Sequence, residues 1–232
     1  MHTLVMRFVG PLQSWGHRSR FDDRDTGLEP TRSGVIGLIC AAMGIPRNGD
    51  LQRFEKLRMG VRVDCPGRCM VDYHTAMDVI KADGSETGTV TSNRHYLSDA
   101  RFLVGLESDA VELLESIDTA IRKPIWPLSL GRKSFVLSVP LFLPGSSVAK
   151  DRTLEQALSE HPFQRLSPTE RMPSEPLRLV IESPAYTVDG LTRNDVPLDF
   201  DTRRFGLRQV LTDWVAPDEL KDGGTWLCSS PS

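Results

Sequence analysis

No stretch of this sequence approaches the ~20 consecutive apolar residues that cross a bilayer. Nor does its start show the charged-then-apolar order of a secretory leader. Met1-His2-Thr3 runs straight into an alternating segment that contains Arg7. A cytoplasmic location, with no membrane contact, is the expectation. Cysteine is scarce, 4 in 232 residues. Cys65 and Cys69 flank Pro66-Gly67-Arg68 like a metal knuckle, but no second pair stands at zinc spacing. A tight turn with free thiols is the better reading, and no metal or other cofactor is expected. Excess positive charge is also missing: the formal net charge is −3. That excludes a globally basic coat for nucleic acid, so any such contact must be local or shared with other subunits. Finally, Gly131-Arg132-Lys133-Ser134 has only the end of a phosphate loop. The upstream glycine is absent, and a strand at 135–139 is expected where a helix should follow, which excludes an NTPase.

The residues present are those of an ordinary globular chain, 39% hydrophobic and 25% charged. Alternation predicts a strand at about 3–9, followed by a loop to Pro30 that is too long to be a mere connection. Thr31 or Ser33 can cap an apolar helix that Gly44 ends. Gly34 and Gly37 inside it point to close backbone packing. A short helix at about 50–58 and strands at 59–64 and 69–76 come next. Residues 77–93 are polar around the turn signal Lys81-Ala82-Asp83-Gly84-Ser85, which fits either a projecting hairpin that packs on something other than its own core or a loose surface loop. A strand at 100–106 follows. The spacing of Asp109 and Glu112 predicts a capped amphipathic helix to about Arg122. This order, with the hairpin as an insertion, is the split βαβ of an α+β, ferredoxin-like (RRM-like) domain over residues 1–145. Recurrent prolines after 144, with short strands expected at 177–182 and 203–213, predict a small, mostly β region over 146–220. Residues 221–232 read as a flexible tail.

The chemistry concentrates in the first third and around residue 131. Gly10-Pro11-Leu12-Gln13-Ser14-Trp15-Gly16, a loop with Arg18, and Pro30-Thr31-Arg32-Ser33-Gly34 bring glycine backbone, an indole, arginines and a helix start to one sheet end. Those parts suit an RNA backbone and an unstacked base. Trp15 fits either a stacking platform or the end of the core. The Gly131–Ser134 turn fits either phosphodiester oxygens or a solvated strand start. From Thr119 to Lys150 there is no acidic residue, while Arg122, Lys123, Arg132, Lys133 and Lys150 all lie there. His74, His95, Tyr73 and Tyr96 could meet at the hairpin base, either as a metal-independent acid–base set or as rings that stack and hydrogen-bond without chemistry. The second reading is preferred, so no catalytic residue is expected. Asp22, Asp23 and Asp25, like Asp199 and Asp201, are interspersed with arginines and read as salt-bridged surface.

Five blocks carry a family resemblance across residues 1–145: Gly10 to Gly16, Pro30 to Leu38, Asp72-Tyr73-His74-Thr75, Arg94-His95-Tyr96-Leu97 and Leu130 to Ser134. In this order they resemble the CasD-type subunits of CRISPR Cascade, the fifth-numbered Cas family of type I-E systems, in the RAMP superfamily. The resemblance implies a RAMP domain with a thumb hairpin and a grip on the 5′ handle of CRISPR RNA. It also implies neighbours, the repeated backbone subunit and the large subunit, with target DNA reached only indirectly. On the matched blocks, the implied RNA contacts are Gln13, Ser14, Trp15, Gly16, Arg18, Arg32, Ser33, Tyr73, His74, Arg94, Tyr96, Gly131, Arg132, Lys133 and Ser134. The alternative is an endoribonuclease that processes repeat RNA, as in type I-C relatives.

Overall fold

The first strand, β1 (His2–Val9), alternates its side chains between two cores, and the rest of the fold is arranged about it. The computed structural model describes residues 1–16, 23–81, 83–84 and 86–225. Two short strands, β2 (Leu12–Gln13) and β3 (Asp23–Arg24), precede α1 (Arg32–Met43). Thr31 caps that helix by accepting from the Gly34 N–H at 3.2 Å, and Gly44 closes it at a left-handed φ of 70°. Next come β4 (Arg58–Cys65), the long pair β5 (Arg68–Ile80) and β6 (Thr87–Ser98), then β7 (Arg101–Ser108) and α2 (Val111–Arg122). Asp109 does not cap α2. Ala110 holds the cap position, and the Ser108 hydroxyl takes its N–H at 3.1 Å. β8 (Val148–Ala149), α3 (Leu154–Ser159) and β9 (Phe163–Arg165) lead into β10 (Leu177–Glu182), β11 (Leu191–Asp199), β12 (Arg204–Val215) and β13 (Asp222–Thr225).

Seven of these strands form one antiparallel sheet in the order β11-β12-β10-β4-β7-β1-β8. Leu4, Met6 and Phe8 face α1 and α2, whereas Val5 faces α3 on the other side. Period-two alternation thus feeds both layers from a single strand. The C-terminal strands do not form a region of their own: β10 pairs with β4 and carries β12 and β11 outward as a continuation of the sheet. Nor does Lys221 begin a tail, because β13 lies parallel to β9. Residues 226–232 lie outside the described part.

One expected strand is missing. Residues 135–139 are irregular and follow the outer edge of β1 with isolated bonds. Val5 N–H donates to the Ser147 carbonyl, Arg7 N–H to Leu141 and Ser138 N–H to Val9, at 2.8–2.9 Å. Pro140 and Pro144 remove donors at intervals, so no ladder can propagate here. The projecting hairpin, in contrast, is longer than 77–93. Its β5–β6 register runs from Arg68 opposite Ser98 to Ile80 opposite Thr87.

A buried ionic network joins the outer strands to the helix layer. Arg32 is 3% exposed. Its guanidinium pairs with Glu182 of β10 at 2.5 Å and donates to the Phe54 and Glu55 carbonyls. Its backbone N–H, the first of α1, donates to Asp195 of β11 at 2.8 Å. Arg208 of β12 grips both oxygens of Asp195, at 2.6 and 2.9 Å, and reaches Glu182 at 3.5 Å. Glu29 adds ion pairs to Arg178 and Arg193. Burial pushes the Asp195 carboxyl up. Hydrogen bonding and charge from Arg208, the Arg32 amide and the Arg193 charge outweigh that and hold it below the usual carboxylate range.

Removing one member strands its partners without solvent. Asp195→Ala is expected to cost about 3–5 kcal/mol in urea unfolding. Because its folded pKa is depressed, the carboxylate stabilises fully above its unfolded pKa of about 4, and that share is lost as pH falls through the folded value. Asp195→Asn should therefore flatten the acid limb of the stability curve. An acid limb as steep as wild type would rule out this coupling.

Candidate nucleic-acid interface

The loop after β1 is stitched down residue by residue. Gln13 is fully buried, and its amide donates to the Phe8 and Ala100 carbonyls at 3.3 and 2.8 Å. Its side-chain oxygen accepts from the Trp15 indole at 3.2 Å. Trp15 is 1% exposed, tilted against Phe8 with ring centroids 5.7 Å apart. A Cβ on Gly34 would come within 2.8 Å of its ring, which explains a glycine in the first turn of α1. Trp15 therefore closes the core and offers no face for stacking. Arg32 is committed to the ionic network and offers no charge to phosphate. Gln13 supports the loop from beneath. Of the expected RNA contacts, these three side chains are thus buried within the fold rather than placed on its surface.

The Gly131 turn packs on this loop. Ser14 N–H donates to the Leu130 carbonyl at 3.1 Å, and Leu130 N–H donates to the Phe135 carbonyl at 2.8 Å across the turn. Gly131 has a φ of +93°, and a Cβ there would sit 1.8 Å from the Ser14 carbonyl oxygen. The close approach delivers Arg132 to the base of the β5–β6 hairpin. Its guanidinium donates to the His95 carbonyl at 3.0 Å and lies 5.5 Å from the Phe135 ring centroid. Desolvation lowers the Arg132 pKa, and the charges of Arg94 and Arg24 lower it further, with Asp72 opposing. Arg132 thus holds its charge beside two other cations, which an anion would relieve. Arg24 sits there because β3 lies parallel to β6, with Arg24 opposite Arg94.

An open cleft of about 1090 Å³ begins at this cluster. One wall holds Ser14, Gly16, Ser33, Arg24 and Arg132. The β11–β12 hairpin supplies the other, through Thr202, Arg203, Phe205 and Leu207. Lys133 and Ser134 are exposed on the adjoining turn. Arg18 lies outside the described residues. Tyr73, His74, Arg94 and Tyr96 do not line the cleft but stand on the β5–β6 hairpin beside it. There the register separates them. Asp72, His74, Arg94 and Tyr96 share one face, while Tyr73 and His95 share the other. The His95 Nε2 lies 3.1 Å from Asp23, and the His74 Nδ1 lies 3.7 Å from Asp72. The two histidines therefore do not converge on one point.

Sequence reasoning missed Arg24 and the whole β11–β12 wall. The available signal was the pair of acidic clusters interspersed with arginines. Asp199, in the second of them, accepts from the Asp201 and Thr202 amides and the Thr202 hydroxyl, so it shapes the hairpin turn. The arginines that follow it are left facing outward.

Comparisons with known proteins bear on this geometry. Residues 3–211 match the family described as CRISPR-associated protein (Cas_Cas5). The chain belongs to that family. It is 37% identical over 166 residues to the CRISPR system Cascade subunit CasD of Escherichia coli K12, covering 64% of this chain and 72% of that one. A crystal structure of a Cas protein superposes with a TM-score of 0.77 at 40% identity, over 95% of this chain and 98% of the other. A chain of a CRISPR RNA-guided surveillance complex also gives a TM-score of 0.77, at 32% identity over 96% and 94%. The fold is expected to depend on the close approach of Gly131 to Ser14. Gly131→Ala should cost at least ~1–3 kcal/mol in thermal or urea melts. Wild-type stability in that variant would show that the turn is free to move off Ser14.

Proposed function

We propose that this chain is a CRISPR RNA-binding subunit of a type I-E Cascade surveillance complex, and that it grips the 5′ handle without cutting it. The carrying observation is the cleft that starts at the Arg24–Arg94–Arg132 cluster, in a protein whose net charge is −3. A narrow cationic strip on an otherwise acidic protein suits one RNA strand and leaves the other faces to protein neighbours. Family membership and the likeness to a surveillance-complex chain support the same reading. The strand order β4-β7-β1-β8, with α1 and α2 packed in one core, supports the ferredoxin-like description of this part. The β5–β6 hairpin carries exposed Met70, Val71, Tyr73, Met77 and Ile80, which suits packing on a backbone or large subunit. Target DNA is reached only through the guide. No helix among the described residues is long and apolar enough to cross a membrane, and we place the complex in the cytoplasm.

Handle binding is tested in the assembled complex by the salt dependence of RNA affinity. Neutralising Arg24, Arg132 and Lys133 should weaken binding and flatten log K against log salt by about 0.7 for each phosphate that is no longer neutralised. An unchanged slope with normal assembly would put the RNA elsewhere.

The second reading, a metal-independent endoribonuclease, has the His95–Asp23 pair in its favour. Two-point acid–base chemistry on one 2′-hydroxyl needs a partner within reach, and His74 is on the opposite hairpin face. Incubating the full chain with repeat RNA in EDTA should leave the RNA intact. Cutting at a single site, abolished by His95→Ala, would reverse the assignment.

A further inference from the structure

We propose that the β11–β12 hairpin is a base-contacting wall, with Phe205 and Leu207 meeting nucleobases while the arginine wall opposite holds phosphates. The inference rests on the RNA-binding reading above and assigns that cleft a second, chemically different side.

Four observations carry it. Phe205 and Leu207 stand two residues apart on β12, so they point the same way. Both line the cleft, yet they remain 37% and 60% exposed. An apolar ring and an isobutyl group left in water inside a charged cleft call for a flat, weakly hydrated occupant. A nucleobase is one, and every base has a π face to offer. Secondly, Arg203 and Arg204 immediately precede Phe205, and Arg203 lines the cleft too. Cations beside an aromatic ring suit a base with its phosphate attached better than an apolar protein side chain.

Thirdly, the wall is tied to α1 at two points. Midway along the hairpin, Asp195 is buried between Arg208 and the first amide of α1. Near its tip, the Phe200 ring lies 3.6 Å from where a Cβ on Gly37 of α1 would stand. A stacking platform fixed before binding loses little freedom on contact. Fourthly, the turn at the tip is held in an uncommon shape. Arg203 adopts a φ of 54°, and the Asp199 carboxylate accepts three bonds from residues 201 and 202. That turn presents Arg203 and Phe205 at the open side of the cleft.

The test uses the reconstituted complex loaded with CRISPR RNA that carries 2-aminopurine at single handle positions. In wild type, at least one position should be quenched by stacking. Phe205→Ala should restore that fluorescence and weaken RNA binding roughly ten- to hundredfold, with the salt slope unchanged, because stacking releases few counterions. Phe205→Trp should keep the quenching. Phe205→Leu preserves apolar bulk without a π face, so it should lose quenching while the melting temperature stays at the wild-type value.

Quenching and affinity untouched in Phe205→Ala, with a flattened slope for the Arg24, Arg132 and Lys133 variant, would overturn this inference and leave the RNA-binding function standing. Unchanged affinity and slope in both variants would remove the RNA from the cleft altogether. Loss of a neighbouring subunit from the Phe205→Ala complex, with quenching intact, would make this wall a protein-docking surface and also overturn the inference.

Discussion

The meeting of Asp195 with the first amide of α1 is the interaction on which the rest of the architecture depends. It links residues 163 apart in sequence and brings the outermost hairpin of the sheet onto the helix layer. Charges buried this deeply add little net stability, because desolvation offsets most of their attraction. They do enforce geometry, since each carboxylate oxygen has one arrangement of donors that satisfies it. Arg32 and Arg208 meet on Glu182, and Arg208 continues to Asp195. The chain α1–β10–β12–β11 is thereby closed into a ring. The network thereby fixes β11 and β12, which carry one wall of the cleft, against the start of α1.

The same network explains what was legible in the sequence and what was not. Elements with a clear period were readable: β1 from strict alternation, α1 from its apolar run between Thr31 and Gly44, α2 from its 3.6-residue stripe. The α2 cap was misread because Asp109 and Glu112 have capping spacing, whereas Ala110 holds the cap position and no side chain caps the helix. Long-range placement was not readable at all. Arg32 stands in the most recognisable block of the chain, and nothing local distinguishes a guanidinium that will meet phosphate from one that will meet Glu182. Trp15 posed the same problem. Its neighbours Ser14 and Gly16 are polar or small, and the apolar surroundings that bury it come from Phe8 and from the face of α1 at Gly34. The expected strand at 135–139 failed for a different reason. Its side chains alternate acceptably, but Pro140 and Pro144 deny the donors that a ladder on β1 needs. Gly131 and Arg132 do line the cleft, beside Arg24, whose neighbourhood reads in the sequence as salt-bridged surface.

The distribution of its arginines shows how a protein of net negative charge can present a local cationic cluster. Many arginines of this chain are spent inside: Arg32, Arg58, Arg62, Arg101 and Arg208 all pair with carboxylates at or below the surface. Composition is therefore a poor guide to the charge of any one face; position decides it. Arg132 differs because burial and the neighbouring charges of Arg94 and Arg24 all disfavour its charged form, a cost that a nearby anion would offset.

Because β10 pairs with β4, the order of synthesis has a consequence for this chain. Residues 1–149 contain β1, β4, β7, α1 and α2, enough to bury one core as they leave the ribosome. Until Leu177 to Val215 are made, the outer edge of β4 has no partner and the first amide of α1 has no carboxylate. An unpaired, apolar edge of this kind is a template for association with other chains. A nascent or truncated molecule would thus be sticky along the β4 edge that β10 later covers. Synthesis of β10 closes that edge, and β11 and β12 then build the second cleft wall, so that chains must extend through β12 to present both walls.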